Sequence, residues 1–230
     1  TAELHVDYVS RVMIDHRLVG MGWVSADGLS PSTPKTTHCN IETNATTLAP
    51  IEDDSCAPIH ILSFDIECIC PSGGFPTATN PEDEVIQISA VSLCYGQPIE
   101  ECRHDMFVVN ECDPIENCTV HSFDTEGDML LAWAAFVVQQ DYDIVTGYNI
   151  QSFDLKYLFQ RARLLSLAMF RYQGRVRTQQ HYHYEEMFSS RQQSGHWDRH
   201  VLSGRIVLDL YEKMIRGGKK YRSYKLDAIS

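Results

Sequence analysis

The chain has 230 residues, 43% of them hydrophobic and 22% charged, with a formal net charge of −12. That composition builds an ordinary core and excludes a disordered chain, and the acidic balance excludes a protein whose whole surface wraps nucleic acid. It leaves room for a local acidic metal site that receives a phosphate backbone. No apolar run is long enough to span a bilayer and no secretory signal opens the chain, so a soluble intracellular protein with no membrane partner is expected. The eight cysteines form no Cys-x-x-Cys pair, which supports neither a zinc ribbon nor a redox motif. Asn44 and Asn117 head glycosylation-type triplets that read as chance. The chain opens on Thr1 and stops at Ser230 inside a patterned segment, so it reads as a piece of a longer protein.

Residues 4–23 alternate loosely around a Gly20-Met21-Gly22 break and predict strands, or a strand and a turn. Residues 25–50, rich in Ser, Thr, Pro and Asn, predict a linker or long loop with one short strand near Cys39 to Glu42. A boundary near residues 55–58 makes residues 1–57 part of an N-terminal domain plus linker, and residues 58–230 a second domain. The run from Ile59 to Ile69 predicts a buried strand with Leu62, Phe64, Ile66 and Cys68 on one face and Ser63, Asp65 and Glu67 on the other. A Pro/Gly-rich loop over residues 71–76 leads to a second buried strand, Glu84 to Leu93, as a hairpin partner, and Asp105 to Val109 predicts a third. A helix starts near Thr125, spaced from Asp128 as in a capping box, with Met129, Trp133, Phe136 and Val137 on its core face. Asp143 to Asn149 predicts a short strand. A second helix follows, with Ser152 as N-cap, Asp154 in its first turn and Leu155, Leu158, Ala162 and Leu165 buried. Residues 173–203 read as a loop or hairpin excursion, and Arg205 to Leu210 returns to strand character. The whole is a mixed α/β layer architecture with the first strand central.

Two carboxylates, Asp65 and Glu67, stand where a core strand should not carry them. Their mutual repulsion is relieved by a divalent cation, and carboxylate oxygens suit Mg²⁺ or Mn²⁺. An exposed edge strand carrying acids for solubility explains the pair equally well. Asp154, at a helix start directly after a strand, adds a third acid, although a helix-start acid chosen for the dipole is the alternative. Together the three could bind two divalent ions about 4 Å apart, an arrangement suited to phosphodiester hydrolysis. Weaker clusters remain open between metal binding and solvated loop histidines: His181 and His183 near Glu185, and His196 with His200. Lys219, Lys220, Arg222 and Lys225, interleaved with Tyr221 and Tyr224, are open between phosphate contact and a solvated basic turn.

The stretches Phe64-Asp65-Ile66-Glu67 and Val145 to Asp154 (VTGYNIQSFD) resemble the first two exonuclease motifs of family B DNA polymerases. Residues 8–23 (YVSRVMIDHRLVGMGW), 81–89 (PEDEVIQIS), 203–211 (SGRIVLDLY) and 222–230 (RSYKLDAIS) are similar to flanking segments of delta-type and large-DNA-virus members, in the right order. The resemblance implies a ribonuclease-H-like mixed sheet with flanking helices, preceded by part of a β-rich N-terminal domain. It implies Asp65, Glu67 and Asp154 as catalytic metal ligands, two Mg²⁺ (or Mn²⁺) ions in the complete site, and Asn149 and Phe153 against the DNA 3′ end. Asn149 as an ordinary turn residue and Phe153 as a core residue remain open. The family's third motif, Tyr-x-x-x-Asp, does not occur in the chain, and Tyr224 and Asp227 are one residue too close to supply it. Asp209 reads as structural, and Asp141-Tyr142-Asp143 lacks the flanks of the polymerase palm motif. The implied partners are primer–template DNA, the palm, fingers and thumb of the full-length chain, and a sliding clamp or processivity subunit. The implied place is the nucleus, or a viral replication site. The 230 residues alone are expected to be a weak or inactive nuclease. A decayed, non-catalytic DNA-binding module and a stand-alone ribonuclease-H-like nuclease are the alternatives.

Overall fold

The computed structural model describes residues 6–31, 41–176, 182–189, 192–217 and 221–228, with the backbone alone over 182–199. It divides into two compact units, Thr1–Ala57 and Pro58–Ser230. In the first, α1 (Tyr8–Asp15) replaces the strand expected there. The reason is local: Asp7 stays extended and its carboxylate accepts the Ser10 backbone N–H, a cap that starts a helix whatever the loose alternation beyond it. Two short antiparallel pairs follow. β1 (Val24–Ser25) and β2 (Ser30–Pro31) join β4 (Ala49–Pro50) and β3 (Ile41–Glu42) respectively. Cys39 and Asn40, expected to share a strand with Ile41, lie outside the described residues.

The second unit holds a six-stranded mixed sheet with flanking helices, the ribonuclease-H-like layout expected. Its strands are β5 (His60–Cys68), β6 (Val85–Cys94), β7 (Arg103–Val109), β8 (Cys118–Phe123), β9 (Ile144–Gly147) and β12 (Ile206–Asp209). They lie in the order β12-β9-β5-β6-β7-β8, so β5 is central. β5 runs parallel to β9 and antiparallel to β6, with a register shift between Glu67 and Cys68. β8, which pairs parallel with β7, was not expected, because its sequence CTVHSF shows no clean alternation. Between β9 and β12 the chain makes an antiparallel hairpin of β10 (Tyr182–Ser189) and β11 (Gln192–His200).

Helix α2 (Glu126–Gln140) begins as expected: the Thr125 hydroxyl accepts the Asp128 backbone N–H at 3.1 Å. Its Met129, Trp133, Phe136 and Val137 are buried. Trp133 packs 5.3 Å from Phe64 of β5 and 5.5 Å from Phe107 of β7, ring centre to ring centre, which locks the helix onto the sheet. Helix α3 (Asp154–Leu164) buries Leu155, Leu158 and Ala162 as expected. Leu165, however, is its C-cap and 37% exposed, because the chain turns away there. Its N-cap is Phe153, not Ser152, and no side chain caps it. Helix α4 (Leu210–Arg216) follows β12. No helix among the described residues is long and apolar enough to cross a membrane.

One buried ion pair fixes the loop between β5 and β6. Arg161 of α3 donates through Nε and Nη2 to both oxygens of Glu126 at 2.8 and 2.5 Å, and through Nη1 to the Asn80 carbonyl at 2.6 Å. Glu126 Oε1 also accepts the Val85 backbone N–H at 2.9 Å. Both side chains are under 5% exposed, so removing one partner strands the other's charge. Arg161→Met should therefore cost about 3–5 kcal/mol in urea unfolding, with Glu126→Leu/Arg161→Met recovering most of it. A loss below about 1 kcal/mol in the single variant would contradict this role.

Candidate active site

The site sits where β5 and β9 end side by side. Along β5, Leu62, Phe64 and Ile66 are buried while Asp65 and Glu67 are exposed, the alternation expected of a strand with one face on the core. The parallel register sets Ser63 beside Thr146. Two residues further along, Asp65 is level with Tyr148, just past the end of β9. Gly147 permits the close approach: a Cβ there would lie 2.6 Å from the Phe64 carbonyl and 2.4 Å from the Ile150 side chain.

The chain then crosses from β9 to α3. Asn149 takes a left-handed conformation, φ 63°, which asparagine tolerates better than most residues. Asp209, at the end of β12, accepts the backbone N–H groups of Asn149 and Gln151, one on each oxygen at 2.9 Å. It also caps α4 through the N–H groups of Tyr211 and Glu212. Asp209 is thus structural, as expected, and its two oxygens clamp the crossing loop in place. The other doubtful acids are structural as well. Asp141 and Asp143 pair with Arg175 at 2.8 and 2.7 Å, and Asp141 with Arg205 at 2.9 Å. The Tyr224 carbonyl accepts the Tyr148 hydroxyl, and Asp227 lies in a short 3₁₀ turn, Leu226–Ala228.

Asp154 is the first residue of α3 and only 1% exposed. Its Oδ1 accepts the Ile66 backbone N–H at 3.2 Å, which draws the carboxylate to β5 between Asp65 and Glu67. The ordinary value of 3.8 for its carboxyl is pushed up to about 7, first by burial and then by the charge of Asp65, with which it shares a hydrogen bond. Neither Asp65 nor Asp154 has a cationic partner among the described residues, unlike Glu126, Asp141 and Asp143. Glu67 follows on the same exposed face of β5. Among the described residues, no three His, Cys, Asp or Glu side chains gather into a complete metal cluster. The donors nevertheless fit a hard divalent cation: all are carboxylate oxygens, and two of them are held together at an electrostatic cost that positive charge removes.

Aromatic groups flank the acids. Phe153 is half-buried against the core, 5.6 Å from Tyr157 and 5.4 Å from Phe75, ring centre to ring centre. Phe75 is 78% exposed at the tip of a loop whose Gly73 and Gly74 have positive φ. It was not among the residues expected at the site, although an aromatic between glycines and a proline was the available signal. Burial pushes the neighbouring Cys68 thiol up to about 12, so it stays protonated. Of the histidine clusters, His181 lies outside the described residues, as do the side chains of His183, Glu185 and His196. His200 is buried and stacks on Phe159 at 5.0 Å, a packing role.

A carboxyl whose folded pKa lies above its unfolded value costs nothing at low pH and destabilises the fold as pH rises through the folded pKa. For Asp154 that window runs from about 4 to about 7. In chelator, Asp154→Asn should raise the unfolding free energy at about pH 8 by an amount on the order of a few kcal/mol, and leave it unchanged at about pH 4. Equal effects at both pH values would contradict the buried-charge account.

Residues 1–229 match the family model of the DNA polymerase family B exonuclease domain. The DNA polymerase delta catalytic subunit of Bos taurus is 38% identical over 99% of this chain and 21% of its own length. That of Plasmodium falciparum (isolate K1 / Thailand) is 33% identical over 99% of this chain and 22% of its own, and that of Mesocricetus auratus 36% over 99% and 21%. The chain thus spans about a fifth of the length of the curated relatives it matches. The match runs through the β5 acids, the clamped crossing loop and the start of α3 alike, and the chain belongs to the family B DNA polymerases, in their exonuclease domain.

Proposed function

We propose that this chain is the proofreading 3′–5′ exonuclease part of a delta-type replicative DNA polymerase, with residues 58–230 forming the nuclease domain and residues 1–57 part of the N-terminal domain. The observation that carries the reading is the meeting of Asp65 and Asp154, two acids 89 positions apart, with no protein cation paired to them among the described residues. Asp65, Glu67 and Asp154 would hold divalent cations, Mg²⁺ or Mn²⁺, two in the complete site. Such ions, when bound, neutralise charge at the scissile phosphate and acidify the attacking water.

The protein's own residues do the rest. The Ile66 N–H fixes Oδ1 of Asp154, and the contact with Asp65 is the one a cation would replace. Asp209 holds the crossing loop, and Asn149 and Phe153 within it would meet the 3′-terminal nucleotides. Phe153 offers a ring edge or face to a base. A primer's mismatched end unpairs more cheaply than a matched one and reaches the acids more often, which supplies the discrimination.

In this reading the substrate is primer–template DNA, and palm, fingers and thumb belong to the rest of the full-length chain. A sliding clamp is the expected accessory partner, and the nucleus the expected place. In the full-length protein, Asp65→Ala and Asp154→Ala should each lower Mg²⁺-dependent hydrolysis of a single-stranded 3′ end by more than about 100-fold, beyond what loss of an outer hydrogen-bonding partner costs at a metal site. Hydrolysis at the wild-type rate in Asp65→Ala would contradict the role given to Asp65, and no Mg²⁺-dependent hydrolysis in the wild type would mark the domain as a non-catalytic DNA-binding module.

A further inference from the structure

The geometry points to a phosphate-binding track formed by Lys213, Arg222 and Lys225, which guides the single-stranded nucleic acid end to the acids; the inference rests on the nuclease reading above. In the sequence, six of the 19 lysines and arginines fall between Lys213 and Lys225, a stretch without an acid, although the whole chain carries 31 acids and a net charge of −12. Charges farther away than about 8 Å are largely screened at physiological salt, so an anionic strand approaching an acidic protein depends on cations close to its path.

Residues 221–225 are seated beside the loop that leads to Asp154 by their tyrosines. The Tyr148 hydroxyl donates to the Tyr224 carbonyl, and Tyr148 lies between Gly147 and Asn149 in the loop that leads to Asp154. Tyr211 packs edge-on against both Tyr148 and Tyr224, with ring centres 5.5 and 6.3 Å away, and Tyr221 against Tyr224 at 5.7 Å. Lys213, Arg222 and Lys225 are exposed, and no acid pairs with them among the described residues; Arg216 instead faces Glu212 at 3.6 Å. Tyr221, 37% exposed, leaves ring surface on which a base can stack. Interleaved cations and aromatic faces are the chemistry of a single-strand groove: the cations follow the phosphates, and the rings accept any base.

The test is steady-state hydrolysis of a fluorescein-labelled oligo-dT by the full-length protein, comparing wild type, Arg222→Gln/Lys225→Gln and Asp65→Ala across a salt series. Both substituted basic residues are exposed, and an unchanged unfolding temperature confirms that the variant is folded. The track predicts that Arg222→Gln/Lys225→Gln raises KM about tenfold at low salt while kcat stays within about twofold. It also predicts that the slope of log(kcat/KM) against log[salt] flattens by about 1.4, the effect of two lost single-strand phosphate contacts. An unchanged KM and slope, with Asp65→Ala inactive, would overturn the track and leave the nuclease reading standing. If Asp65→Ala hydrolyses normally, the nuclease reading fails, and the salt slope of equilibrium oligo-dT binding decides the track on the same criterion.

Discussion

The second unit is built around a carboxylate placed where water cannot reach it and beside another carboxylate. Asp154 is held there by one backbone donor, Ile66 N–H, and its neighbour Asp65 opposes its ionisation. An arrangement that unfavourable persists only if the rest of the fold over-determines it. The parallel β5/β9 pairing sets the two strand ends level, and Gly147 lets the crossing loop pass against the Phe64 carbonyl. Asp209 binds two loop N–H groups from the far side, and the buried Glu126–Arg161 pair ties α3 to α2 and to the loop after β5. The amino-terminal end of α3 tolerates the anion through the helix dipole.

What separates this pair from the structural acids is that, among the described residues, it has neither a protein cation nor a full set of hydrogen-bond donors. Asp105, Glu126, Asp141 and Asp143 each face an arginine, and Asp209 is saturated with backbone donors. Those acids stabilise elements and their charge is spent locally. Asp65 and Asp154 are assembled with the same care and left in mutual repulsion, which is the electrostatic signature expected of a site completed by positive charge from outside the polypeptide.

Much of this was legible in the sequence because its causes are local. The apolar alternation of residues 59–69, the Thr125 cap and the Met129, Trp133, Phe136, Val137 stripe each follow from neighbours within one or two turns. The features that could not be read depend on distant partners. The role of Asp209 requires Asn149 and Gln151, and that of Arg161 requires Glu126, 35 residues away. Local signals also misled where they competed. Asp7 started a helix in a stretch that alternates like a strand, and Ser152 offered a cap that the tight turn after Asn149 left unused. The three candidate acids were singled out by spacing and motif, whereas the burial of Asp154 and the exposure of Asp65 emerged only from the fold.

Divalent cations, on this account, complete the Asp65–Asp154 pair. The most direct measurement is the anomalous scattering of Mn²⁺ in crystals of the full-length protein bound to a single-stranded oligonucleotide that resists hydrolysis. The account predicts Mn²⁺ density within about 2.0–2.5 Å of carboxylate oxygens of both Asp65 and Asp154 and of the terminal phosphate. Mn²⁺ bound elsewhere, with those two carboxylates still touching only each other and the backbone, would contradict it.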